Sequence, residues 1–132
     1  MISINFNVGS RYQVDRKLLR ERAVKFLEAN QVDNAIVDVH IVGARKIKEL
    51  NEKKVGHEGI TDVLSFPQYE PQEEGFVLPR GVPKHLGDIA INFTMAVEQA
   101  RKKGKLVDEQ LWFYLEHGLL HLLGYHHNDG MS

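Results

Sequence analysis

The sequence predicts an α+β domain in which a small four-stranded mixed sheet packs against helices, one of them a buried central helix. Three observations carry this. Short segments of β-type alternation are interleaved with longer segments of helical period, and a leucine stripe recurs every three to four residues near the C-terminal end. At 132 residues, the chain has the size of one domain, 1–132, with a core large enough to need no staples.

The elements follow in order. Residues 2–8, ISINFNV, alternate apolar and polar as a half-buried strand does. Asp15 is placed to cap a helix over about 16–30, with Leu18, Leu19, Ala23, Phe26 and Leu27 on one side. Residues 35–42, AIVDVHIV, form a second strand, and 44–54 a short amphipathic helix. Residues 61–67, TDVLSFP, read as a strand stopped by Pro67, and 86–93, LGDIAINF, as a fourth strand, followed by a helix over about 94–103. Asp108 is placed to cap a last helix running to about 123, where Gly124 can end it. The order is β-α-β-α-β-β-α-α. The segment 68–85 carries three prolines and no clear period, and loops of that length inside compact domains are either functional or disordered.

Composition narrows the chemistry. Hydrophobic residues at 42% and charged residues at 27% are ordinary for a soluble protein, and no apolar run approaches a membrane span of roughly 20 residues. The N-terminus lacks the basic-then-apolar pattern of a signal peptide, so a cytoplasmic location is expected. With no cysteine, disulfides and thiolate metal ligands are excluded, and a transition-metal site must use histidine and carboxylate. A net charge of −1 gives no global pull toward nucleic acid. Local basic runs at 16–25, 45–54 and 101–105 suit solvated helix faces and, taken together, also suit RNA contacts along one side.

The informative stretch is HGLLHLLGYHH, 117–127, which holds four of the seven histidines. On the last helix, Leu111, Leu115, Leu119 and Leu122 form one stripe, and Trp112, Leu120 and Leu123 fill its flank. His117 and His121 lie four residues apart, almost opposite that stripe, so their rings stand one turn apart and can chelate one ion. Beyond Gly124 the chain can turn back and bring His126 or His127 to the same point. Three histidines and an open position are the layout of a catalytic zinc site. The helical zinc motif H-E-x-x-H carries its general base after the first histidine, where this chain has Gly118, so a standard zinc peptidase is excluded. A metal-bound water remains available as the reactive group, because the ion lowers its pKa toward roughly 7.

The pattern H-G-x-x-H-L-x-G-Y-x-H resembles the signature of the YbeY family of endoribonucleases, and TDVLSFP (61–67) and LGDIAI (86–91) resemble two further blocks of that family in the same order. The resemblance runs from about Leu50 to His127. It implies a zinc-dependent, single-strand-specific endoribonuclease acting in ribosomal RNA maturation, notably at the 16S 3′ end, and in ribosome quality control. It places the metal ligands, for about one zinc ion per chain, on His117, His121 and His127. Ser65 and Asp88, inside the family-like blocks, become candidates for groups supporting the site. Three departures stand out. His126 occupies the position where the family usually has Asp. Val55 stands where it usually has an Arg, leaving Lys53 and Lys54 as the nearest cations for RNA phosphates, without the bidentate fork of a guanidinium. The sequence ends at Ser132, where relatives continue into a further helix.

Two other readings compete with the nuclease: a non-catalytic, metal-containing ribosome-biogenesis factor, and a metal-dependent hydrolase of another substrate. The implied partners are single-stranded RNA and the ribosome, together with a ribosomal protein or a GTPase, and no membrane.

Overall fold

The structure, a computed structural model, describes residues 1–55, 61–68 and 82–124, with residues 54 and 55 described by their backbone alone. The elements are β1 (Ile2–Val8), α1 (Arg16–Ala29), β2 (Ala35–Val42), α2 (Ala44–Leu50), β3 (Val63–Pro67), β4 (Lys84–Asn92), α3 (Phe93–Lys103) and α4 (Val107–Leu122). The expected order of strands and helices is the observed one, and the fold is α+β with a four-stranded mixed sheet.

The strands lie in the order β1-β2-β4-β3. β1, β2 and β4 run parallel, and β3 is antiparallel to β4 at the edge. Parallel neighbours cannot be joined by a hairpin, so α1 carries the chain between β1 and β2. Strand alternation then divides the sheet into two faces. Val37, Val39 and Ile41 of β2 are fully buried, as are Ile89 and Ile91 of β4, and they share one core with Leu19, Ala23 and Leu27 of α1 and Leu111, Leu115 and Leu119 of α4. The other face has a smaller core, in which Ile47 of α2 packs with Leu64 and Ala90. Each large aliphatic side chain buried here contributes about 1.5–3 kcal/mol, so the face carrying α1 and α4 dominates the stability.

Four boundaries depart from the sequence reading. Only 44–50 of the segment 44–54 is α-helical, and Asn51–Val55 continues as a π-helical turn, a form often found beside functional sites. β3 starts two residues late, at Val63, and β4 two residues early, at Lys84, which takes His85 out of the expected loop and into the sheet. The fourth correction concerns Asp108. Leu106 is the N-cap of α4 and supplies no side-chain cap. Asp108 sits inside the first turn, where its charge suits the helix dipole, and its Oδ1 accepts a hydrogen bond from the Asp15 backbone N–H at 3.0 Å. Asp15 caps α1 as expected, accepting from the Leu18 N–H at 3.1 Å, so the starts of α1 and α4 are tied together. Most of the proline-rich segment, 69–81, lies outside the described residues.

Candidate metal centre

α4 is the central helix. Among its residues only Glu109 and Phe113 are exposed, and both belong to its N-terminal half. The C-terminal half is held against the sheet by a close approach at Gly118, where a β-carbon would stand 2.7 Å from Ile89 Cγ2. On the same face, the Ser65 hydroxyl of β3 donates to the Gly118 carbonyl at 3.4 Å. The turn between His117 and His121 is thus docked on β3 and β4. One turn further, Leu122 reaches toward Gly87. The helix closes with the Gly124 N–H donating to the His121 carbonyl at 3.0 Å and with Gly124 at φ +93°, the left-handed geometry glycine adopts without strain.

His117 and His121 present their rings side by side, with centroids 4.5 Å apart and planes inclined by 44°. Both are half-buried. Two imidazoles one turn apart on a rigid, packed helix fit two corners of a tetrahedral zinc site, and the absence of thiols leaves a nitrogen-rich donor set that zinc accepts. His126 and His127, the candidates for a third ligand, lie outside the described residues.

The remaining expected residues fall in different places. Ser65 lies beside the histidine turn through its bond to Gly118. Asp88 does not, and its expected supporting position requires correction. The register pairs Ser65 with Ile89 and Phe66 with Asp88, so Ser65 faces α4 while Asp88 points from the opposite face of the sheet. Lys53 is on the π-helical turn after α2, largely exposed and 3.8 Å from Glu49. The side chains of Lys54 and Val55 are outside the described residues.

One group escaped the sequence reading. Asp38, His85 and Asp88 bring ligand atoms within 4.8 Å of one another on the face away from α4. Alternation along β2 puts Asp38 and His40 together on the less buried side of the strand. His85 was hidden because the boundary of β4 was read too late.

A sequence model for the family described as Endoribonuclease YbeY matches residues 5–131. The chain belongs to the YbeY family. Among curated YbeY relatives, one from Anaeromyxobacter sp. (strain Fw109-5) is 41% identical over 83% of this chain and 53% of its own length. One from Symbiobacterium thermophilum is 40% identical over 81% of this chain and 68% of its own length. A third, from Thermus thermophilus, is 38% identical over 83% of this chain and 74% of its own length. The chain therefore spans about half the length of the Anaeromyxobacter relative it matches and a larger share of the others. The solution structure of a Thermotoga maritima protein superposes on it with a TM-score of 0.60 and 29% identity, covering 100% of this chain and 79% of that one. Among the described residues, no helix is long and apolar enough to cross a membrane.

Proposed function

We propose that this chain is a zinc-dependent endoribonuclease, specific for single-stranded RNA, that acts in ribosomal RNA maturation at the 16S 3′ end and in ribosome quality control. The observation that carries the reading is the docked pair His117 and His121, with ring centroids at 4.5 Å, in a chain whose family is described as endoribonuclease. His117, His121 and His127 hold one zinc ion in this reading. Zinc at that position supplies Lewis-acid polarisation of a phosphodiester oxygen and the acidification of water.

The chain's own residues decide where that chemistry happens. Gly118 and Ser65 fix the histidine turn against β3 and β4, so the donor atoms are set before substrate arrives. Lys53 and Lys54, on the turn after α2, offer positive charge to the phosphates of a single strand. The setting is cytoplasmic, and the partners are ribosomal RNA and the ribosome, with a ribosomal protein or GTPase beside them.

Val55, standing where relatives usually carry Arg, favours a second reading in which the protein binds ribosomal RNA without cutting it. Metal analysis combined with cleavage of a fluorescently labelled single-stranded RNA separates the two. Zinc-loaded wild type should cut the strand, and His121→Ala should lose both zinc and cutting while keeping most of its RNA affinity. Wild type that binds zinc and RNA but leaves the strand intact supports the binding factor. A protein without transition metal after mild purification overturns both.

A further inference from the structure

We infer that Asp38, His85 and Asp88, with His40 at their edge, form a second divalent-metal site, for zinc or a neighbouring first-row ion, on the face of the sheet opposite α4. The site is built by a β-bulge. His85 and Asp88 are three residues apart on β4, so in a regular strand they would point to opposite faces. The pairing of β4 with β2 shifts between Ile36 and Val37, with His85 opposite Ile36 and Gly87 opposite Val37. The extra residue, Leu86, returns His85 to the face of Asp88. Gly87 makes the turn possible at φ +147°, where a β-carbon would stand 2.4 Å from the Phe66 carbonyl oxygen. Asp38 and Asp88 are then direct cross-strand partners, and His40 follows Asp38 on the same face.

The donor atoms of Asp38, His85 and Asp88 lie within 4.8 Å of one another. His85 Nε2 is 2.8 Å from Asp38 Oδ2 and 3.4 Å from Asp88 Oδ1, and His40 Nε2 is 3.5 Å from Asp88 Oδ2. Tetrahedral zinc with bonds of about 2.0–2.1 Å spaces its ligand atoms about 3.3–3.4 Å apart. Two of the three contacts sit near that spacing. The third is a hydrogen bond, whose shared proton an incoming cation would displace.

Two further features point to an ion. Asp88 Oδ1 is shielded from solvent and meets the His85 ring only at 3.4 Å, without a hydrogen bond among the described residues. The outer atoms of the ligands are also held. Asn5 Nδ2 donates to Asp38 Oδ1 at 3.0 Å, which leaves Oδ2 for the site, and the Asn7 amide lies 3.5 Å from His40 Nδ1. By turning over, that amide can accept from Nδ1–H and leave Nε2 as the ligand. Side-chain exposure of 32–35% leaves an entry path. A donor set that mixes imidazole nitrogen with carboxylate oxygen suits zinc, cobalt or manganese better than calcium or magnesium, which prefer oxygen throughout.

The test uses the full chain, stripped of metal and titrated with zinc alone by calorimetry and by thermal unfolding. His117→Ala with His121→Ala isolates the second site and should still bind about one equivalent, with a zinc-dependent rise in Tm. Adding Asp38→Asn and Asp88→Asn, which keep side-chain shape, should abolish both signals. On the wild-type background, the two Asp-to-Asn substitutions should lower the stoichiometry from two to one. Cobalt should give a visible d–d band in the first variant that the second lacks. A folded His117→Ala, His121→Ala protein that binds no zinc overturns the proposal, and so does zinc uptake that ignores the two aspartates; either result would leave the four side chains an ion-pair network only.

Discussion

At position 118 the nearest neighbour of any added β-carbon is a branched aliphatic side chain, with Ile89 Cγ2 at 2.7 Å and Cδ1 at 3.0 Å. Ile89 is fully buried and cannot swing into solvent. Gly118→Ala should therefore lower stability by about 1–3 kcal/mol, the usual cost of overpacking a filled core. Urea midpoints would measure it. An Ile89→Ala background should absorb most of the loss, and an equal loss in both backgrounds would place the strain elsewhere. The same contact explains why the residue after the first histidine is not the glutamate of a zinc peptidase. A carboxylate there would be driven into the hydrophobic layer between α4 and β4.

At the scale of elements, the proposed RNA contact rests on the turn after α2. α2 gives way after Leu50 to a π-helical turn carrying Lys53 and Lys54, and Lys53 is 74% exposed, with Glu49 at 3.8 Å as a loose partner. An exposed pair of this kind is worth at most about 1 kcal/mol, so the lysine can be redirected to a phosphate at little cost. Lys53→Ala with Lys54→Ala should weaken single-stranded RNA binding severalfold at every sequence tested and flatten the salt dependence by about one counterion per lost contact. Zinc content should stay as in wild type. Unchanged affinity and salt slope would move the RNA path away from this turn. The 101–105 run is then next: Lys103 and Lys105 place their ammonium groups 5.5 and 5.4 Å from the Phe113 ring, which is half exposed.

Across the whole molecule, the sheet separates two chemistries. The α4 face carries the aliphatic core and the histidine turn, and the other face carries α2 with the His and Asp cluster. Tyr114, 3% exposed on α4, reports on the integrity of the packed side. Burial pushes its phenol pKa up; the neighbouring Gln110 side chain opposes this, and the Asp62 charge adds to it. Unfolded, the phenol ionises near about pH 10, so above that pH the unfolded chain holds fewer protons than the folded one and stability falls as pH rises. Tyr114 thus leaves stability untouched below about pH 10 and erodes it as pH climbs through the raised folded value. Tyr114→Phe should flatten this alkaline decline in urea midpoints, and the wild-type phenolate absorbance should include one tyrosine that ionises late. Parallel declines in the two proteins would show that Tyr114 ionises without cost.

The sequence by itself determined what depends on local spacing. Alternation at a period of two marked β1 and β2 to the residue, and the leucine stripe with two histidines four positions apart marked α4 and its adjacent imidazole pair, because both signals arise from backbone geometry within a few neighbouring residues. The family blocks were legible for the same reason. Only the tertiary structure decided which face a strand residue serves. Ser65 and Asp88 stand in equally family-like strands, yet the β3–β4 register sends one toward the histidine turn and the other away from it. That register is set by contacts between segments far apart in the chain. His85 was missed because its direction depends on a bulge opposite Ile36 and Val37, and a single extra residue reverses every face assignment beyond it. Asp108 looked like a local helix cap, but its hydrogen bond runs to Asp15, on another helix. Spacing along the chain decides which groups can act together on one element. Packing between elements decides which groups actually meet.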